Sequence, residues 1–212
     1  MKKIFFPAIT LAIFTFSSCK SDKKVEIKDG KIGVSDAIDA VQALGKGVED
    51  AQNRWEERRK KGDTIALQYK ELESFLPDFS GYTKEGGPKG SQSNIPGMGG
   101  FSQTEQTYVN GDNRIKVSIA DYNASQMAFT AATALYSLNI SSEDDDKRQG
   151  SVDLGIKNVA AYETVYKQRQ EAELAVIAGD RFYIMFNSDG SNDIDQLKSA
   201  AKDVVGKLSS KF

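Results

Sequence analysis

This 212-residue sequence contains no histidine and one cysteine, Cys19. Without histidine the chain cannot build a Ser-His-Asp or Cys-His catalytic set, because both need imidazole as the general base. It also lacks the Cys and His ligands of a typical zinc site, and a lone cysteine excludes an internal disulfide bond. We therefore predict a non-enzymatic protein without metal or cofactor. Any catalysis would have to depend on Asp, Glu, Lys, Tyr or Ser.

Neither sign of charge is in large excess. There are 28 Lys and Arg residues against 30 Asp and Glu, which gives a net charge of −2. The sequence has no basic cluster rich in aromatic residues, which is the pattern expected of a nucleic-acid-binding surface. Nucleic acid is therefore not an expected partner. The length suits one ordinary domain with an extension.

The N-terminal apolar stretch, Ile4–Phe16, is too short to cross a bilayer of about 30 Å as a helix. It follows Lys2 and Lys3 and precedes two small residues, Ser17-Ser18. A basic start, an apolar stretch and small residues before a cleavage point are typical of a secretory signal peptide. We predict a signal peptide over residues 1–18 and an exported protein.

The four residues Phe16-Ser17-Ser18-Cys19 resemble the lipobox of bacterial lipoprotein precursors, which are acylated on the cysteine and cut just before it. Phe stands where the commonest form of the motif has Leu. The resemblance implies a lipoprotein anchored by an acyl chain such as palmitate on Cys19, with the membrane as a partner. The residue after the cysteine is Lys20 and not Asp, and in this the sequence resembles lipoproteins that are sent on to the outer membrane. A plain signal peptide with an incidental cysteine is the alternative.

Two segments are predicted between the anchor and the domain. Polar and charged residues over 19–34 indicate a tether. Apolar residues at three- and four-residue steps predict an amphipathic helix over 35–62. Its apolar stripe could dock on the domain or pair with another chain, and docking is favoured because amphipathic helices usually bury their stripe in their own protein. The stripe consists of Ile38, Val41, Leu44, Val48, Ala51 and Trp55.

Residues 63–212 are predicted to form one α+β domain, in which an antiparallel sheet of five or six strands carries helices on one face and follows the long N-terminal helix. Alternating apolar residues predict the strands, and Asn110-Gly111 is a strong hairpin signal. Helical spacing predicts a helix over 125–139 and a C-terminal helix capped by Asn192. The predicted strands are Gln103–Asn110, Arg114–Tyr122, Val159–Gln168, Glu171–Ala178 and Arg181–Asn187, with Phe79–Lys84 or Ile65–Leu67 as a candidate for a further strand.

Several short motifs between Leu72 and Leu208 resemble a group of uncharacterised exported bacterial proteins. The resemblance implies an α+β sandwich similar in layout to the PsbP and Mog1 folds. It implies no assigned activity, and no catalytic residue can be carried over. The motifs are Leu72 with Leu76-Pro77, Gly81-Tyr82, Gly97-Met98, Ser102, Glu105, Tyr108, Ile115–Tyr122 and Asp180-Arg181-Phe182.

The Gly-rich residues 86–100 are predicted to be a long loop. Glycines can bring backbone N–H groups close to a phosphate, but the sequence has no Gly-Lys-Ser/Thr here and no helix directly after it. Because Met98 and Phe101 are apolar, a lip over a hydrophobic groove is the better functional interpretation. The candidate ligand-loop residues are Pro96, Gly97, Met98, Gly99, Gly100 and Phe101.

Other polar and aromatic groups carry weaker hypotheses. The acidic residues Glu143–Asp146 and the segment Asn187–Asp193 could attract Ca²⁺, but they lack the ligand spacing of a formed calcium loop. Glu171 and Glu173 share one face of a predicted strand, where a solvated surface is favoured over acid–base catalysis. Several tyrosines could mark a binding face, although filling of the sheet is favoured. They are Tyr108, Tyr122, Tyr162, Tyr166 and Tyr183.

Three functions follow from the sequence. The favoured one is a membrane-anchored envelope lipoprotein that binds a partner protein or an apolar ligand. The second is a carboxylate-based hydrolase of the cell envelope, which would need two carboxyl groups about 5–10 Å apart in a cleft. The third is a structural or oligomerisation lipoprotein acting through helix 35–61.

Overall fold

The structure is a computed structural model that describes residues 49, 52–95, 99–133, 136 and 141–211. The predicted signal peptide 1–18, the tether 19–34 with Cys19, and most of the predicted helix 35–62 lie outside these residues. Residues 52–60 are helical and are named α1. None of the helices in these described ranges combines the length and apolar character needed to span a membrane.

A single antiparallel sheet of nine strands dominates the described residues. Its spatial order is β1-β3-β4-β9-β8-β7-β6-β5, and β2 pairs with β3 on the same edge as β1. The strands are β1 Thr83–Lys84, β2 Lys89–Ile95, β3 Gly99–Asn110, β4 Asn113–Asp121, β5 Ser142–Glu143, β6 Lys147–Val152, β7 Val159–Tyr166, β8 Glu171–Ala178 and β9 Phe182–Asp189.

The predicted fold class, a sheet of five or six strands with helices on one face, is wrong, and most of the predicted long N-terminal helix lies outside the described residues. The sheet has nine strands, and the C-terminal helix is the one long helix among the described residues. Two segments predicted as loops account for the difference. Residues 89–95 of the Gly-rich segment pair with β3, and the acidic segment folds into the β5–β6 hairpin. Both were missed because polar edge strands carry no apolar alternation.

The three-stranded meander β7–β8–β9 is confirmed, and its strands pair along their whole length. The turn between β8 and β9 contains Gly179 and Asp180 with φ of 61° and 51°. Successive positive φ values give the backbone twist that suits a tight antiparallel turn. The N–H of Arg181 donates to the carbonyl of Ala178 at 3.2 Å. Arg181 is therefore placed directly between the turn and β9.

The hydrophobic core lies on one face of the sheet. Helix α2 (Tyr69–Leu72) with its following 3₁₀ turn Glu73–Phe75, and helix α4 (Ile194–Lys211), cover this face. The hydroxyl of Tyr108 donates to the carbonyl of Pro77 at 2.6 Å, which satisfies its buried polar atom. The fully buried core side chains include Leu72, Ile115, Val117, Ile119, Leu174, Val176, Ile184, Phe186, Leu197 and Val204.

Two local predictions are corrected at helix and strand ends. Asp193, and not Asn192, caps α4, because its carboxylate accepts the N–H of Gln196 at 3.2 Å. Residues 65–67 form no strand, because the N–H of Leu67 donates to the Asp121 carboxylate at 2.7 Å instead of to a strand neighbour. Helix α3 (Gln126–Thr133) falls within the predicted helix 125–139 and lies over β9, on the face opposite the core.

Candidate functional site

The predicted ligand loop lies at the end of the β2–β3 hairpin. Pro96, Gly97 and Met98 fall outside the described residues, and Gly99 pairs with Ile95 in the ladder. At Gly100 an added Cβ would lie 2.7 Å from the backbone oxygen of Ser93. This glycine therefore allows two strands to approach closely, and the described part of the hairpin does not form a phosphate cradle.

Among the candidate loop residues that the structure describes, Phe101 contacts other aromatic side chains. It is half-buried, and its ring stacks on Tyr122 with centroids 5.2 Å apart and an interplanar angle of 22°. Tyr122 in turn contacts Phe129 of α3 at 6.2 Å. Offset stacking of this kind contributes about 0.5–1.5 kcal/mol beyond the area that it buries. The hairpin end is thereby joined to the sheet face that the core does not use.

Three tyrosines continue this aromatic group. The hydroxyls of Tyr136 and Tyr183 lie 2.9 Å apart, and the rings of Tyr136 and Tyr162 are 5.5 Å apart. Burial raises the pKa of Tyr183, with a further contribution from its hydrogen bond with Tyr136, and burial also raises the pKa of Tyr122 and Tyr162. We name the six residues Phe101, Tyr122, Phe129, Tyr136, Tyr162 and Tyr183 the aromatic face.

The remaining two tyrosines of the sequence hypothesis lie elsewhere. Tyr108 points into the core on the other side of the sheet, where burial raises its pKa. Tyr166 is half-buried at the end of β7, and the guanidinium of Arg169 lies 4.0 Å from its ring centroid. Neither therefore belongs to the aromatic face.

A buried ion pair joins the ends of β4 and β9. Arg181 is 3% exposed and Asp121 is fully buried. The guanidinium donates from Nε and Nη2 to the two carboxylate oxygens at 2.9 and 2.8 Å, which is the bidentate geometry. Each oxygen accepts a second bond, from the backbone N–H of Asn123 at 2.9 Å and of Leu67 at 2.7 Å. With its acceptors occupied, Asp121 has a structural role.

Asp63 and Asn123 extend this pair towards the surface. Nη1 of Arg181 donates to the Asp63 carboxylate at 3.1 and 3.2 Å. The side-chain amide of Asn123 donates to Asp63 at 2.6 Å and to the carbonyl of Ile65 at 3.2 Å. The network therefore fixes the irregular segment 63–67 against the sheet end.

Helix α1 docks on the same end of the sheet. Trp55 donates from its indole N–H to the carbonyl of Asn123 at 3.3 Å. Arg58 donates to the carbonyls of Gly179 and Asp180, both at 3.0 Å, and burial lowers the pKa of Arg58. Trp55 is the one residue of the predicted apolar stripe that the structure describes, so the docking of the stripe as a whole stays a prediction.

A cavity of about 540 Å³ opens beside this docked helix. Its walls come from the end of α1, the start of β7, the β8–β9 turn and the end of α4. Basic side chains at its walls include Arg58, Lys61 and Lys157, and we name it the basic cavity.

The acidic positions singled out in the sequence do not converge. Asp144 accepts the N–H groups of Asp146 and Lys147 in the β5–β6 turn, and these backbone bonds hold the pKa of Asp144 below its usual value. Glu173 faces Thr164 and Asn187 on its neighbouring strands. Across the ranges that the structure describes, no group of three or more acidic, histidine or cysteine side chains could hold a metal ion.

The Asp121–Arg181 pair and the basic cavity were not predicted from the sequence. Both ion-pair residues stand in the motifs of the family resemblance, one at the end of an apolar strand and one at the start of another. A charged residue at the boundary of an apolar strand indicates that it could form a buried ion pair. It does not indicate which residue of opposite charge will be its partner.

No protein-family model matches this chain, and neither does any curated protein. Among solved structures, the extracellular domain of PknH from Mycobacterium tuberculosis is similar, with a TM-score of 0.41 and 10% sequence identity. The alignment covers 68% of this chain and 93% of that domain. At this level of likeness, no binding or catalytic residue is carried over to this chain.

Proposed function

We propose that this protein is an exported, lipid-anchored and non-enzymatic binding protein of the cell envelope, whose sheet binds an apolar ligand at the aromatic face. The observation that carries the ligand proposal is the stacking of Phe101 on Tyr122 at the base of the β2–β3 hairpin. It puts half-buried aromatic surface beside the loop that the sequence singles out. Rigid aromatic side chains offer large contact area at low entropic cost, as ligand sites require.

Export and anchoring are supported by the sequence of the first nineteen residues. The stretch Ile4–Phe16 has the length and flanks of a signal peptide, and Cys19 stands at the acylation position of the lipobox that residues 16–19 resemble. A single acyl chain gives only marginal membrane binding, so a stable anchor takes more than one chain. The outer membrane is the proposed destination because Lys20 follows the cysteine.

The non-enzymatic part of the proposal is supported by the side chains that are present. The chain has no histidine to act as a general base. Asp121 accepts four hydrogen bonds and pairs with Arg181, which leaves it no vacant acceptor position for a reacting proton. Glu171 is in an ion pair with Arg169 at 3.4 Å.

The first test removes the aromatic ring at the hairpin. We expect Phe101→Ala to weaken binding of the neutral fluorescent probe N-phenyl-1-naphthylamine by about tenfold, because one stacking partner is lost. Fluorescence titration of the full chain measures this affinity. The matched control is Ile65→Ala, which removes an apolar side chain that is 74% exposed and lies outside the aromatic face. Equal affinity in Phe101→Ala, or an equal loss in Ile65→Ala, would contradict the proposed ligand surface.

The second test removes the proposed anchor. We expect Cys19→Ala to abolish labelling by radioactive palmitate and to release the protein from membranes into the soluble fraction. Ser21→Ala is the control, because it changes a neighbouring residue and leaves the thiol in place. If Cys19→Ala still fractionates with membranes, the anchor lies elsewhere in the chain and the lipoprotein proposal fails.

A further inference from the structure

We infer that the basic cavity binds a small molecule that has an oxyanion head, a carboxylate or a phosphate monoester, on a short apolar body. This site is separate from the aromatic face and does not depend on the proposed function. Its volume of about 540 Å³ lies within the range of about 300–1,000 Å³ that is typical of small-molecule pockets.

The charge of the cavity walls favours an anion. Four cationic side chains and one carboxylate line it. The carboxylate, Asp63, is already bound to Arg181, whose charge is also matched by Asp121. Arg58, Lys61 and Lys157 are the three other cations, and in the part of the chain that the structure describes none of them is in an ion pair. The four cations therefore exceed the two carboxylates, Asp63 and Asp121, by two charges, and this excess around one concave space raises the local concentration of anions.

The neighbouring backbone does not neutralise these charges. Arg58 donates two N–H groups to the carbonyls of the β8–β9 turn, which are uncharged. The Asp180 carboxylate of that turn attracts Arg58, but it is already ion-paired with Arg54. The C-terminal part of α4 also reaches the cavity, through Leu208 and Ser209. A helix C-terminus carries about half a negative elementary charge. That partial charge can favour one cation, and it leaves most of the positive charge for a ligand.

The apolar part of the wall distinguishes an amphiphilic anion from an inorganic one. Val159, Phe182 and Leu208 line the cavity together with the cations. Phe182 and Leu208 are core side chains, 4% and 2% exposed, so they form a rigid base, and the half-buried Val159 exposes more apolar surface to the cavity than either of them. An inorganic ion would leave the exposed part of Val159 in contact with water, whereas a short hydrocarbon body would cover it.

Four water-soluble probes test this inference on the full chain by saturation-transfer NMR titration. Hexanoate and hexyl phosphate carry both head and body, hexanamide carries the same body without charge, and acetate carries the head alone. We expect both hexyl anions to bind at least tenfold more tightly than hexanamide and acetate, with affinity falling as salt is added. The tighter of the two anions identifies the head group as carboxylate or phosphate. Equal binding of hexanoate and hexanamide, or no binding of either anion, would overturn the inference.

Variants place the binding in the cavity. Lys61→Gln and Lys157→Gln are each expected to weaken hexanoate or hexyl phosphate about two- to fivefold, as for an exposed charge pair, and the double variant about tenfold. Lys202→Gln is the matched control, since Lys202 is exposed on α4 outside the cavity. An equal loss in Lys202→Gln would show a non-specific charge effect and refute the site. N-phenyl-1-naphthylamine is uncharged, so the lysine substitutions should not change its binding at the aromatic face. The two binding proposals can therefore fail separately.

Discussion

Replacing Arg181 with methionine is expected to lower the free energy of unfolding by about 3–5 kcal/mol, which is the usual cost of leaving a buried charge without its partner. Asp121 is fully buried, and Arg181 supplies both of its side-chain donors. In Arg181→Met the carboxylate keeps its two backbone donors but loses its counter-charge. Urea unfolding of the full chain, followed by circular dichroism, measures the loss.

Two further variants separate the buried charge from the loss of an arginine. Arg169→Met removes an exposed arginine that pairs with Glu171 at 3.4 Å, and we expect a loss below about 1 kcal/mol. Adding Asp121→Asn to Arg181→Met removes the unpaired charge and keeps an acceptor for one of the two backbone N–H groups. This double variant should recover part of the stability. If Arg181→Met loses no more than Arg169→Met, the ion pair does not hold the sheet end together.

The central strands and α4 could be predicted because their sequence pattern reports burial directly. Ile115, Val117 and Ile119 alternate with polar residues, since β4 has the core on one face. The helix after Asp193 has its apolar residues at helical spacing, since one stripe packs on the sheet. In both elements the local pattern and the tertiary contact are produced by the same residues.

The edge strands could not be predicted in this way. β2 is Lys-Gly-Ser-Gln-Ser-Asn-Ile, which has no apolar alternation, and its residues 89–94 are exposed or half-exposed. Its pairing is specified by the backbone ladder to β3 and by small residues such as Gly90, which packs against the ring of Tyr69. A strand that buries little on either face leaves almost no periodic signal.

The candidate sites were predictable only in part. Phe101 was identified because an apolar residue in a Gly-rich segment is unusual, and its ring does stack on Tyr122. The basic cavity joins Lys61 and Lys157, which are almost a hundred positions apart, with the end of α4. Exposed lysines carry no sequence signal of their own, so their grouping depends on strand order and helix docking.

Leu197→Ala is expected to lower the free energy of unfolding by about 3–5 kcal/mol, the range for removing a fully buried leucine that leaves a cavity. Leu197 lies on α4, which packs on the core face of the sheet against β8. Because α4 is the long helix that covers this face, its apolar stripe should contribute a large share of the stability. Urea unfolding measures the loss, and an unchanged slope of the transition would indicate that the variant retains the same compact fold.

Ile177→Ala tests the face of β8 that points away from α4 and the core. Ile177 is half-buried and lies opposite Tyr183 on β9, within the sheet face that carries the aromatic face. We expect a loss of about 1 kcal/mol, because a half-exposed side chain already has water on one side and leaves no closed cavity. A loss equal to that of Leu197→Ala would mean that this face is a second core, and it would then be unsuited to binding. A small loss leaves the aromatic face free to bind a ligand without unfolding the domain.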